Sequence, residues 1–243
     1  VFIDNFYTPG DGYFEHLLTH EIGHAIGFSH PFDGLVNLDL KNYESIMGYD
    51  NNYFIASQPM PADIKAGEFL YGGNDNVNIG DDFYSWDINH YTRSSVIDDG
   101  GFDEYDFSNQ FNGVFVDLED DSWSSLSNNL ILENDNLIHQ YGQIYTSTGT
   151  IIEKVTTTNY RDNILDNPLT DNIIHLGSDN DNFYYFGGSD LVYGGQGNDY
   201  VYLDFSSADF YAAANSEDNY SIFNDSNQDY SNPLMTLDGI EHI

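Results

Sequence analysis

A chain of 243 residues that is 40% hydrophobic can bury a real core, as one large domain or two modest ones. Five Lys and Arg stand against 41 Asp and Glu, a formal net charge of -36, which excludes nucleic acid and anionic membrane as partners and leaves cations as the natural counterions. With no cysteine and no apolar run of membrane-spanning length, rigidity has to come from packing or from metals, and membrane insertion is excluded.

In chain order, residues 1–3 are predicted as a short strand, about 14–26 as a helix and about 61–70 as a second helix, before "YGGNDN" breaks the pattern. The chain starts at Val1, and "VFIDNFYTPGDGYF" lacks the basic-then-apolar form of a signal peptide, so it reads as a fragment or a processed product, and the closing "GIEHI" as a stretch cut short. From about 73 to 157, aromatic and β-branched residues alternate with Asn, Asp, Gly and Ser, as in "VIDDGGFDEYDFS", which predicts short strands and turns without a helix.

A repeat with a period of nine follows: "TNYRDNILD" from 158, "NPLTDNIIH", "LGSDNDNFY", "YFGGSDLVY" and "GGQGNDYVY", ending at 202. In this register position six holds Asn163, Asn172, Asp181, Asp190 and Asp199, and position eight holds Leu165, Ile174, Phe183, Val192 and Val201. Positions one to six then make a turn and seven to nine a strand with only the eighth side chain inward. One unit cannot bury that side chain alone, so the units stack. The last 24 residues read as two strands around a loop.

"HEIGHAIGFSH" sets His20, Glu21, His24, Gly27 and His30 in the pattern H-E-x-x-H-x-x-G-x-x-H. Residues four apart share a helical face, so His20 and His24 can reach one ion about 2 Å from each nitrogen. Glu21, one step round, is free to act as a base. Gly27 can end the helix in a left-handed conformation and turn the chain so that His30 arrives as third ligand, leaving a position for water. His16, four residues before His20, reads as an ordinary polar position.

"HEIGHAIGFSHP" followed by "SIMGYD" resembles the serralysin group of metzincins, secreted bacterial zinc endopeptidases. The resemblance implies a methionine turn at Met47 beneath the zinc and Tyr49 as a further, switchable ligand able to stabilise an oxyanion. "QPMPADIKAGEFLYG", with Asp63, resembles the segment that closes the family's catalytic domain, and "GGQGNDYVY" its calcium-binding RTX β-roll. The implied architecture is α+β: a partial metzincin catalytic domain over 1–72, then an all-β parallel β-roll or sandwich of nonapeptide repeats over 73–243.

Zn²⁺ and Ca²⁺ are the expected cofactors. The turn from Gly194, Gly195 and Gly197 can aim carbonyls at a calcium ion with the Asp199 carboxylate, and Asp190 and Asp181 do the same in the units before. The first two units lack glycine and put Asn163 and Asn172 where a carboxylate belongs, so calcium is expected at the later turns and not at the earlier ones. Asp82, Asp98 and Asp103 match a family calcium site at the domain junction, or form a solvated turn.

The implied function is a secreted, extracellular, monomeric zinc endopeptidase acting on proteins or peptides, with this fragment alone weakly active or inactive. The alternatives are a calcium-dependent extracellular binding or adhesion protein with a relic protease domain, and a zinc hydrolase of another substrate.

Overall fold

The computed structural model describes residues 12–33, 40–49, 55–126, 130–133, 136–139, 142–203, 210–216, 219–224 and 233–243; the strand expected at 1–3 lies outside them. Helix α1 covers Gly12–Ala25 and α2 Pro61–Tyr71, each within two residues of expectation. Gly27, at φ 101°, ends α1: its N–H donates to His24 O (3.1 Å), and Phe28 N–H donates to Gly23 O (2.9 Å). At the start of α2, Pro61 needs no donor, and the Asp63 carboxylate accepts the Met60 N–H (2.9 Å).

Between the helices lies β1 (Ile55–Ala56). After α2 come β2 (Phe83–Ser85), β3 (Thr92–Val96), β4 (Glu104–Asp106), β5 (Phe115–Asp117), β6 (Ser122–Ser124), β7 (Leu130–Glu133), β8 (Asn136–His139), β9 (Ile144–Thr146) and β10 (Lys154–Thr156). The repeats supply β11 (Asn163–Leu165), β12 (Ile173–His175), β13 (Asn182–Tyr185), β14 (Asp190–Tyr193) and β15 (Tyr200–Leu203). The chain ends with β16 (Phe210–Ser216), β17 (Asn219–Asn224) and β18 (Met235–Asp238).

From β10 to β15 successive strands alternate between two sheets, ordered β16-β17-β18-β14-β12-β10-β4-β2 and β15-β13-β11-β5, in which every pair is parallel except β16-β17 and β17-β18. One coil of the roll is therefore two nonapeptides. An interior residue of each short strand points inward: Tyr105, Val155, Ile174, Val192 and Leu237 from the first sheet meet Val116, Ile164, Phe183 and Val201 from the second, all buried. β17 and β18 are the two C-terminal strands expected, paired antiparallel.

The register of the first unit differs from expectation. Ile164, not Leu165, points inward, paired with Phe183 on one side and Val116 on the other, while Leu165 is half-exposed. A strand slipped by one residue would turn its apolar side chain to solvent, so burial of Ile164 decides the pairing. Ten residues then separate Ile164 from Ile174, and the extra one is absorbed in the turn between β11 and β12. Position six of this unit is accordingly Asp162, fully buried, and not Asn163.

A third sheet, β1-β3-β9-β6, runs across residue 72: Ile55 pairs with Thr92 and Ala56 with Arg93, in parallel. A second small core of Ile46, Met47, Ala56 and Met60 lies beneath α1, with Phe28 and Trp123 packed on it.

The corrected register separates two neighbouring truncations. Ile164→Ala should lower unfolding free energy by about 2–5 kcal/mol, and Leu165→Ala by under about 1 kcal/mol, read from urea midpoints.

Candidate metal centre

His20 and His24 project from one face of α1, and the turn after Gly27 returns His30 to them. His30 Nε2 lies 3.2 Å from His20 Nε2 and 3.1 Å from His24 Nε2. Four ligands around an ion at 2.0–2.1 Å stand about 3.3 Å apart, the edge of a tetrahedron, so these separations suit zinc.

The other ring nitrogens are already committed. Nδ1 of His20 faces Ile46 O (2.9 Å), that of His24 faces Phe28 O (2.9 Å), and that of His30 faces Asp33 Oδ2 (2.6 Å). Oxygens of this kind only accept, so each Nδ1 carries a proton, leaving Nε2 as the nitrogen whose lone pair each ring can turn to a common point. Three lone pairs that close repel one another unless a cation lies between them. The donor set, three imidazoles with a phenol beside them, fits zinc.

Tyr49 Oη stands 3.0 Å from His30 Nε2 and 3.5 Å from His20 Nε2, on a side chain 60% exposed. Partial desolvation, then the nearby Glu21 and Asp33 carboxylates, push its pKa up while the centre holds no metal. Glu21, half-buried on α1, is close enough for its charge to act on the Tyr49 phenol.

Beneath the histidines Met47 is buried against α1, where Gly23 leaves room: a Cβ on Gly23 would come within 2.7 Å of the Met47 sulfur. Asp63 holds this turn. Its buried carboxylate accepts Ser45 Oγ–H (2.6 Å), Ile46 N–H (2.6 Å) and Met60 N–H, tying the start of α2 to the residue whose carbonyl orients His20. His16, expected to be an ordinary polar position, is half-buried and donates from Nδ1 to Ala56 O (2.7 Å), fastening α1 to β1.

Along one edge of the roll, each carboxylate at position six accepts the N–H of its counterpart one coil back. Asp181 Oδ1 takes Asp162 N–H (2.7 Å), Asp199 Oδ1 takes Asp181 N–H (3.0 Å), and Glu241 takes Asp199 N–H (2.8 Å). The second oxygens, Asp181 Oδ2 and Asp199 Oδ2, are buried without a partner. Gly195 and Gly197, at φ 91° and 155°, let the preceding turn close in: a Cβ there would lie 2.1 Å from Gly177 O and 1.8 Å from Asp179 O. At Gly194 a Cβ would reach 2.6 Å from Asp199 Oδ2. Asp179, at φ 79°, occupies a left-handed position that later turns give to glycine.

Asp162 is different. Val114 N–H (2.6 Å), Thr158 N–H (2.9 Å) and the Thr158 hydroxyl satisfy both its oxygens, so this turn closes on protein donors alone. On the opposite edge Asp190 Oδ1 accepts Asn172 N–H (2.8 Å), and Asp190 Oδ2 is a buried oxygen without a partner.

Oxygens of Asp82, Asp98 and Asp103 lie within 4.8 Å of one another. Asp103 Oδ1 accepts Asp82 N–H (2.7 Å), Asp103 N–H donates to Glu153 (2.8 Å), and Asp103 Oδ2 is orphaned. Asp98 accepts from Gly100 N–H (2.9 Å) and the Tyr84 hydroxyl (2.5 Å). Burial, then the Asp98 and Glu153 charges, push the Asp103 carboxyl up. Hard oxygen donors with nothing to balance them suit a calcium-class ion.

Three participants escaped sequence reasoning. Asp33 is three residues past His30, a spacing no motif rewards. Glu153 lies nine residues before Asp162 and would have followed from the corrected register. Asp162 was hidden by the one-residue slip.

No protein-family model matches the chain. Among curated proteins it is 29% identical over 168 residues to "Serralysin" of Proteus mirabilis, covering 52% of this chain and 34% of that one. It is 33% identical over 148 residues to "Serralysin B" of Dickeya chrysanthemi (48% and 31%) and 32% identical over 156 residues to "Metalloprotease AprA" of Pseudomonas entomophila (49% and 32%). About half of the chain is thus serralysin-like, and the match spans about a third of each of these relatives.

The edge carboxylates make stability depend on pH. Burial first, and neighbouring carboxylates, raise Asp181 to about 9, and burial raises Asp162 to about 7 and Asp199 to about 6, against 3.8 in the unfolded chain. The calcium-free fold therefore holds protons that the unfolded chain has released. Its stability should be greatest below about pH 4 on this account and fall steadily up to about pH 9, with added calcium removing the loss, as read by thermal melts with and without chelator. Asp63→Ala should cost about 3–5 kcal/mol by urea unfolding, since it strands three buried donors.

Proposed function

We propose that the chain carries the zinc centre and the calcium-stabilised roll of a secreted zinc-dependent endopeptidase, with catalytic residues in 1–72 and the roll in 73–243. The observation that carries this reading is the convergence of three Nε2 lone pairs at tetrahedral spacing, each ring oriented by an acceptor at its Nδ1. The likeness to serralysins and to a metalloprotease over half of the chain supports the same reading.

His20, His24 and His30 would hold the ion, with Tyr49 as a further ligand in the absence of substrate. Zn²⁺ at such a site acidifies water and polarises a peptide carbonyl. Glu21 takes the proton from the attacking water and delivers it to the departing amine, so that amide hydrolysis ends with a carboxylate and a protonated amine. Tyr49, whose hydroxyl lies 3.0 Å from His30 Nε2, donates a hydrogen bond to the oxygen on which negative charge develops. A cavity of about 320 Å³ beside His30, lined by Phe28, Pro31, Leu40, Met47 and Ala66 among others, has the size and apolar lining for a substrate side chain.

In the roll, Asp181, Asp190 and Asp199 would ligate Ca²⁺ with the carbonyls that the glycine turns bring in, and Asp82, Asp98 and Asp103 a further ion where the roll begins. The orphaned carboxylate oxygens of Asp103, Asp181, Asp190 and Asp199 support this assignment. The satisfied Asp162 marks a turn that needs no ion.

Zinc analysis of this chain and peptide hydrolysis by the intact protein test the reading together. Glu21→Gln should retain zinc and lose about 10²–10⁴-fold in kcat, while His30→Ala should lose the zinc. A wild-type chain without zinc would overturn the protease; zinc uptake with hydrolysis unaffected by Glu21→Gln would overturn the assigned base.

A further inference from the structure

The irregular turn between β11 and β12 carries more oxygen than its fold requires. Asp166 Oδ1, Thr170 Oγ1, Asn172 Oδ1 and Asp190 Oδ2 are all buried atoms without a hydrogen-bond partner. Their residues are 0%, 8%, 1% and 2% exposed. The Asp166 and Asp190 carboxylates face one another, and the charges acting on Asp190 are those of Asp166 and Asp171, both acidic. Gly188, at φ 86°, keeps the space open: a Cβ on it would lie 2.1 Å from Thr170 O and 3.2 Å from Asp190 Oδ1.

Each carboxylate is held by the backbone through its other oxygen. Asp166 Oδ2 accepts the N–H groups of Phe186 (3.1 Å) and Gly187 (3.2 Å), and Asp190 Oδ1 accepts that of Asn172. The two free carboxylate oxygens are thus fixed in place with no donor from the fold around them, only each other, and the Asn172 carbonyl likewise has none, its amide nitrogen donating to Ile152 O (2.8 Å). Two buried, facing carboxylates without a counter-charge are strongly unfavourable, and a divalent cation removes the penalty.

We propose that Asp166, Thr170, Asn172 and Asp190, with the Thr170 carbonyl, form a calcium-class cation site in which Asp166 supplies the carboxylate that Asn172 lacks. The residue inserted into the repeat is the compensation for the asparagine at position six. All-oxygen donors with two negative charges select Ca²⁺ over zinc, which prefers nitrogen and sulfur. The site deepens the proposal of a calcium-binding roll and rests on it: it gives the ion assigned to Asp190 the ligands Asp166, Thr170 and Asn172, from a turn where the repeat pattern alone gives no reason to expect any.

Calcium bound per chain, counted by atomic emission after desalting at neutral pH and by calorimetric titration with CaCl₂, tests the site. Asp166→Asn keeps the acceptor for Phe186 and Gly187 and should hold one ion fewer than wild type. Asn172→Asp in the same chain should restore it, because the carboxylate returns to position six. If the wild type binds calcium and Asp166→Asn binds as much, the pair shares a proton instead and this site is overturned while the roll's calcium stands. If the wild type binds none, the calcium-binding roll itself fails. An Asp166→Asn chain that loses the ion without rescue by Asn172→Asp also overturns the compensation.

Discussion

Along the roll, the contact on which the rest hangs is a carboxylate oxygen accepting a backbone N–H from the equivalent residue of the neighbouring coil. Asp162, Asp181 and Asp199 do this on one edge, and Asp103 and Asp190 on the other. Such a bond fixes the height of each coil relative to the last, and so fixes which residue of a three- or four-residue strand points inward. It also buries negative charge in a column. The geometry that orders the coils therefore creates a demand for cations that the chain, with 5 basic residues, cannot meet itself.

The histidine centre follows the same logic with nitrogen in place of oxygen. Imidazole rings, each anchored at Nδ1 by a carbonyl or a carboxylate, are made to present Nε2 to one another. Asp63 stands behind the arrangement by locking the segment that supplies Ile46 O. In both places the chain spends hydrogen bonds to hold donors for a metal in a shape they would not adopt unaided.

Much of this is readable in residue order. The helix bounds, the turn at Gly27, the histidine spacing and the inward residues Ile174, Phe183, Val192 and Val201 all follow from local periodicity and chain stereochemistry. Leu165 and Asn163 were assigned wrongly because a fixed period of nine cannot register one inserted residue, and in a stretch rich in Asp and Asn the shifted frame reads as well as the true one. Parallel pairing with Val116, 48 positions away, decides in favour of Ile164, and no local window contains that contact. Asp33, Glu153 and Asp166 act through tertiary neighbours, and their residue types are common in turns.

The strand β1 is only two residues long, yet it is held on both sides: Ala56 O accepts from His16 of α1, and Ile55 and Ala56 pair with Thr92 and Arg93 of β3. Arg93 is itself buried, donating to Gly142 O (3.0 Å) and standing over the Tyr43 ring. Heat or mechanical pull that parts this seam removes the wall supporting α1, whereas the bonds of the seam involve none of the three clustered histidines. The histidine cluster thus inherits its ruggedness from strands that contribute none of its side chains.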